Sequence, residues 1–208
     1  MKNHLSNAFC ATALALAMFA VVGCAAEKAE MPPQMTQDLV TLRDQLVQGK
    51  AQVQTTCNAA RDLTQRTQAQ LQPQVDRLVQ SISNLENLAT NGRQQVASAD
   101  ERAQAYFAHW DQELASMSDS LAMQGQERRE KSEKSFAELK ARTAALKAEF
   151  RPFMTSLTEI SRYLQTDTTA AGVKAVTPQI KSALGREKTI MAKVDAVIEQ
   201  LDAIRGGK

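Results

Sequence analysis

The chain has few of the residues that build β-sheets, metal sites and catalytic centres. Of its 208 residues only 4% are aromatic, and there are 8 glycines, 5 prolines, 3 cysteines and 2 histidines. So few aromatic residues argue against a sheet-rich domain. So few histidines and cysteines do not supply soft metal ligands at zinc-like spacing, and no phosphate-binding loop, G-x-G-x-x-G or H-E-x-x-H motif occurs. We expect no enzyme, cofactor, metal or small-molecule substrate.

A strong charge of one sign is also lacking. The 25 basic and 23 acidic residues leave a formal net charge of +2. A balance so close to neutral supplies no basic surface for nucleic acid. We therefore expect no nucleic-acid partner.

Residues 1–23 predict a lipoprotein signal peptide. Their apolar run, residues 8–22, is about 15 residues long, and a helix needs roughly 18–20 to cross a bilayer. The run ends in four residues that resemble the bacterial lipobox, Val21, Val22, Gly23 and Cys24. This resemblance implies that Cys24 is acylated and becomes the mature N-terminus. The alternative is an ordinary signal peptide with an incidental cysteine.

Acylation predicts where the protein resides. Several acyl chains on Cys24 anchor a protein firmly without a membrane span. By the same lipoprotein resemblance, Ala25 instead of Asp after the cysteine implies the periplasmic face of the outer membrane. Residues 24–35 contain charges, a Pro-Pro pair and no apolar period, and they predict a flexible tether.

Residues 36–205 predict a single all-α domain of about four long helices. Apolar residues recur at steps of three and four, as in coiled coils. Four runs carry this pattern, Leu39–Leu63, Val75–Met117, Phe136–Leu164 and Val173–Ile204. Short connections between them predict an elongated antiparallel bundle. Such seams close either within one chain or between chains.

Helix ends and interruptions have their own signals. Pro73 suits the first turn of the second helix. N-capping residues precede the third helix at 118–120 and the fourth at 166–169. Pro152 and Pro178 lie inside periodic runs and predict kinks or interruptions, and Pro178 leaves open a fourth helix split in two.

Four residues on the seams have two interpretations each. Cys57 is either a buried small hydrophobe or a reactive thiol. Glu113 and Glu187 either pair with a basic residue across the bundle or lie at the seam's edge with their heads in water. Gly92 marks a close approach or a bend.

Two segments resemble a known family. YFAHWDQE, residues 106–113, and FRPFMTSLTEISRYLQTDTTAAGVKA, residues 150–175, are similar to an uncharacterised bacterial envelope family, domain-of-unknown-function family 2959. The resemblance covers the chain from about Leu39 to Ile204. It implies a helical envelope lipoprotein and carries no activity. The matching residues are Tyr106, Phe107, Trp110, Glu113, Phe150, Pro152, Phe153, Leu157, Ile160, Leu164, Asp167, Thr169 and Gly172.

The hairpin of the second and third helices should project beyond its neighbours. If the first two helices pair about residues 70–73, Trp110 lies level with Gln34, at the membrane end, and Ile204 lies near Glu130. We expect a contact surface for lipid or a membrane partner here, consisting of Tyr106, Phe107, Trp110, Leu114, Met117, Leu121 and Met123. The alternative is that the aromatic residues only fill the core.

Two functions are open. A structural or scaffolding lipoprotein would bind envelope proteins or self-associate through the faces of a rigid rod. A periplasmic client-binding or chaperone-like module would expose an apolar surface in its native state. The well-filled seams favour the scaffold.

Overall fold

The described part of the chain consists of four long helices. The computed structural model describes residues 31–65 and 71–206, and within these ranges it contains no strand. The helices are α1 Pro33–Gln65, α2 Leu71–Ala115, α3 Asp119–Thr166 and α4 Ala170–Gly206. This confirms the predicted all-α class and the number of helices. The predicted signal peptide, the lipobox and Cys24 lie outside the described residues.

Each helix packs on its neighbours in chain order, and α1 also packs on α4. This is the arrangement of an up-down-up-down bundle. Ion pairs show the antiparallel register of α1 and α4, since Arg43 Nε lies 2.8 Å from Asp202 Oδ1 and Lys50 pairs with Asp195. The apolar seams therefore close within one chain.

The core is made of the predicted seam residues. Phe153 and Ile180 are fully buried, and Leu78 packs with them from α2. All three belong to one cluster that all four helices share. Such a core accounts for helices much longer than an isolated peptide would hold, because their stability comes from packing an apolar face.

One polar contact lies inside this core, between α1 and α2. Thr56 is fully buried, and its Oγ1 lies 2.8 Å from Ser81 Oγ. Gln52 Nε2 donates to the Ser81 carbonyl oxygen at 3.0 Å. Each buried hydroxyl therefore has a partner, as polar groups in a core require.

The internal prolines do not interrupt their helices. α3 runs through Pro152 and α4 runs through Pro178, so the predicted interruptions are wrong, and the fourth helix, whose splitting the sequence left open, is a single helix. A proline removes one backbone hydrogen bond, and packing on both sides of it holds the helix together. A predicted close approach at Gly92 is also wrong, because a Cβ there would meet nothing within 4 Å. Pro73 lies in the first turn of α2, as predicted.

The bundle begins earlier than the sequence indicates. α1 starts at Pro33, so residues 33–35, which the sequence analysis places in the tether, are helical. Proline suits a first helical position because its missing N–H has no partner there. Met35 is only 4% exposed and packs in a cluster with Phe107 of α2. This contact accounts for a helix that begins at the second proline of the Pro-Pro pair.

The turn between α3 and α4 is held by the side chains of Asp167 and Thr169. Thr169 caps α4 as predicted, because its Oγ1 accepts a hydrogen bond from the Gly172 N–H at 3.2 Å. Asp167 Oδ1 accepts from the Thr169 hydroxyl at 2.6 Å and from its N–H at 3.0 Å. These bonds hold the pKa of Asp167 below its ordinary value. A Cβ on Gly172 would lie 2.4 Å from the Asp167 carbonyl oxygen, so the turn requires glycine.

Ser118 occupies the N-cap position of α3, but its side chain makes no capping hydrogen bond. Its carbonyl oxygen instead accepts from the Leu121 N–H at 3.0 Å.

Candidate functional site

The start of α1 lies beside the aromatic part of α2. Met31 and Met35 share a cluster with Phe107 and Trp110. The sequence predicted that Trp110 lies level with Gln34, and this cluster agrees with that prediction. The chain therefore enters the bundle at the end where the α2–α3 hairpin closes.

The hairpin of α2 and α3 extends beyond both other helices. On the α4 side, Gln200 Nε2 donates to the Ser135 carbonyl oxygen at 3.1 Å, and α4 ends at Gly206. Antiparallel helices run in opposite directions, so Gly206 lies level with about residue 129, and residues 111–127 extend past the ends of α1 and α4. At 1.5 Å per helical residue, the hairpin rises about 10 Å past Trp110.

Aromatic packing closes the base of this projection. Phe107 is 8% exposed, and its ring meets Phe136 edge-on at 5.6 Å between centroids. Tyr106 lies 5.4 Å from both Phe107 and Trp110. Burial raises the pKa of the Tyr106 hydroxyl, and the charge of Arg128 opposes that rise. These rings pack together, as the alternative interpretation proposed, and Tyr106 and Trp110 stay half-buried.

Arg129 joins the two legs of the hairpin. Its guanidinium carbon lies 5.4 Å from the centre of the Phe107 ring. It donates to Asp111 of α2 at 2.9 Å and to Glu133 at 2.6 Å. The bond to Asp111 is the main reason that the pKa of Arg129 is raised. The sequence analysis missed this residue, because nothing in the charge run around it distinguishes it from its exposed neighbours.

Leu114 belongs to the packing of the hairpin and not to its outer surface. It is 7% exposed, and a Cβ on Gly125 would lie 2.2 Å from its Cδ2. Gly125 therefore lets the two legs come close at this level. Of the predicted contact residues, Phe107 and Leu114 are buried.

Three predicted contact residues are exposed at the extreme end of the hairpin. Met117 is 45% exposed, Leu121 57% and Met123 75%, and we refer to these three as the tip patch. Within the described ranges, the two other large hydrophobic residues with comparable exposure are Val47 on α1 and Tyr163 near the opposite end of α3. Exposed apolar surface is therefore concentrated at the tip.

The tip is acidic. Glu113 and Asp119 flank the patch, and residues 113–123 contain no lysine or arginine. The Glu113 carboxylate is largely exposed, 3.7 Å from His109 on the same helix. Glu113 therefore lies at the edge of its seam, in water.

Cys57 is buried beside an ion pair. It is 1% exposed, and burial, followed by the charge of Glu187, raises the pKa of its thiol to about 12. Glu187 of α4 pairs across the bundle with Arg61 of α1. Cys57 is thus a protonated, buried side chain at neutral pH, and Glu187 adopts the paired arrangement of its two interpretations.

The described residues contain neither a metal-ligand cluster nor a membrane span. No three His, Cys, Asp or Glu side chains among them come together as ligands. None of the four helices is both long and apolar enough to cross a bilayer.

Comparison with known proteins identifies a family. No curated protein matches the chain, and no solved structure matches it. The family described as protein of unknown function (DUF2959) matches residues 26–205, which is most of the chain. The chain therefore belongs to the DUF2959 family.

Proposed function

We propose that this protein is a lipoprotein of the bacterial cell envelope, anchored through acyl chains on Cys24, that serves as a structural or scaffolding module. The lipobox-like residues before Cys24 support the anchor. Ala25 after the cysteine supports the periplasmic face of the outer membrane. Protein contacts, with envelope partners or a second copy, would form along the sides of the bundle.

The observation that carries the scaffold role is the closed core. The seams of all four helices are buried against one another in a single chain, and ion pairs such as Arg43–Asp202 span neighbouring helices. Protein interiors packed in this way are rigid, so the bundle holds its length and direction under thermal motion. A rigid rod tethered at one end limits the distance between a membrane and whatever binds its sides.

A client-binding or chaperone-like module is the second candidate. The exposed methionines of the tip patch favour it, since methionine adapts to differently shaped apolar partners. The size of the patch opposes it. Burying three half-exposed Met and Leu side chains contributes about 3–5 kcal/mol in total, which is little for a client held without other contacts.

Two experiments test the proposal. The mass of the protein purified from envelope membranes should show acylation at Cys24, and the Cys24→Ser variant should lose it together with membrane attachment. Unmodified mass in the parent protein would refute the anchor.

Photocrosslinking tests the scaffold. A photoreactive residue at Val47, exposed on the side of α1, should capture one reproducible protein or a second copy in the native envelope. The control position is Glu130, exposed on α3 behind the tip. Capture of many unrelated proteins, together with native-state binding of an apolar dye, would instead favour the client-binding module.

A further inference from the structure

We propose that the tip patch rests in the headgroup region of the bilayer that holds the N-terminal anchor, and that it favours neutral over anionic lipid. This inference rests on the proposed membrane anchor. It identifies lipid as the partner of the exposed surface formed by Met117, Leu121 and Met123.

The first support is where the chain enters the bundle. Met31 and Trp110 both pack against the buried cluster of Met35, Ala103 and Phe107, at the base of the projecting hairpin. The stretch from Cys24 to Met31 spans at most about 25 Å when fully extended. The tip rises only about 10 Å past this level, which is less than the tether can span, so the tip can reach the anchoring bilayer. A short tether keeps the patch within reach of lipid.

The second support is the character of the patch. Its side chains are apolar, unbranched at Cβ and 45–75% exposed, and they lie at the extreme end of the hairpin. Such side chains enter the boundary between headgroups and acyl chains, where neither a matching shape nor a directional bond is needed.

A second copy fits the patch less well than lipid. Three half-exposed side chains supply far less than the roughly 800 Å² per partner of a stable protein interface. Tip-to-tip pairing would also bring Glu113 and Asp119 of both copies together, and like charges in contact oppose association.

The acidic flank sets the lipid preference. Glu113 and Asp119 lie beside the patch without a compensating lysine or arginine between residues 113 and 123. An anionic bilayer attracts basic segments and repels acidic ones over about one Debye length. Neutral phosphatidylcholine should therefore hold the tip better than phosphatidylglycerol at low salt.

The test attaches the chain to vesicles without using its own anchor. Residues from Met31 onward form a compact unit, so the chain from Ala25 can carry an N-terminal hexahistidine tag. The tag binds phosphatidylcholine vesicles that contain a small fraction of nickel-chelating lipid. The variant Met123→Cys carries an environment-sensitive dye, and the matched control is Tyr163→Cys at the other end of the bundle. Cys57 is buried, so the reagent labels the introduced thiol.

The dye at position 123 should shift its emission to the blue on vesicles and be quenched by lipids spin-labelled near the headgroup, whereas the dye at 163 should do neither. Adding Met117→Ser and Leu121→Ser should lower the ratio of lipid-bound to free tips roughly 30- to 200-fold, because two apolar side chains no longer leave water. Val47→Ser should leave that ratio unchanged. Replacing phosphatidylcholine by phosphatidylglycerol at low salt should lower it.

Three results would overturn the inference. Equal quenching at 123 and 163 would show that the tip does not touch lipid. A blue shift that grows with protein concentration and needs no vesicles would show that the occupant is a second copy. Stronger quenching in phosphatidylglycerol would contradict the preference for neutral lipid. The nickel tether replaces the acyl chains, so none of these results bears on whether Cys24 is acylated.

Discussion

Two glycines in helices should respond in opposite ways to the same substitution. Gly92 lies inside α2, where a Cβ would meet nothing within 4 Å. Gly172 lies in the first turn of α4, where a Cβ would lie 2.4 Å from the Asp167 carbonyl oxygen. Replacing each by alanine adds one methyl group to a helix, and only the surroundings differ.

The magnitudes follow from these surroundings. Alanine is favoured over glycine in a helix interior by about 1 kcal/mol, so Gly92→Ala should stabilise the bundle by about that amount. For a domain of this size that corresponds to a rise in Tm of about 2–4 °C. Gly172→Ala gains the same preference, but its Cβ overlaps the Asp167 carbonyl oxygen, a backbone atom that no side-chain rotation can move. Relieving the overlap displaces the Thr169 cap, and we expect a net loss of about 1–2 kcal/mol.

Thermal and urea unfolding, followed by far-ultraviolet circular dichroism, would measure both changes. Gly49→Ala is the control for Gly92→Ala. A Cβ at Gly49 would also meet nothing within 4 Å, so this variant should be stabilised by a similar amount. A Gly92→Ala protein that is less stable than the parent would show that α2 bends or meets a neighbour at this level. If Gly172→Ala left the stability unchanged, the turn could move without loss, and the close approach of Asp167 would not be what requires glycine there.

Three further predictions concern the core and the hairpin. Phe153→Ala should lose about 3–5 kcal/mol in urea unfolding because the side chain is fully buried, whereas the exposed Tyr163→Ala should lose less than about 1 kcal/mol; equal losses would contradict the position of the core. Burial raises the pKa of the Cys57 thiol from its ordinary value of 9.0 to about 12. Between these two values the thiol ionises only in the unfolded chain, so its contribution to the free energy of unfolding is constant below pH 9 and falls as the pH rises toward 12. The parent should therefore lose about 1.4 kcal/mol more per pH unit than Cys57→Ala across that window, and parallel unfolding curves would refute the shift. Arg129→Ala should speed amide hydrogen exchange around Phe107 and the hairpin tip while changing the Tm little; unchanged exchange would show that Arg129 does not hold the two legs together.

The fold was predictable because many residues along each helix carry the same apolar periodicity. Each helix repeats the apolar step of its seam many times, so single departures such as Gly92 or Pro178 do not change the outcome. The same residues show the limit of local rules. Pro178 breaks an isolated helix, but in the bundle the core on both sides of it supplies more free energy than one lost hydrogen bond takes away.

The site was predictable in part. Periodicity and turn positions placed the projecting hairpin and brought Trp110 level with the start of α1. They did not show that Leu114 is buried, because that depends on Gly125 in the facing helix. The position of Arg129 over Phe107 depends likewise on the detailed rotation of two helices, which a repeat of three and four residues does not specify.

The buried contact between Thr56 and Ser81 determines how the first two helices can align. Leu39, Leu46, Val53 and Ala60 lie one heptad apart, so the apolar seam alone would tolerate a slip of α1 along α2 by one heptad. Such a slip would bring Gly49 or Leu63 to the level of Ser81 and leave a hydroxyl in the core without a partner. An unpaired buried hydroxyl costs about 1–3 kcal/mol. One pair of small polar side chains therefore selects a single alignment from a repeating pattern that would otherwise allow several.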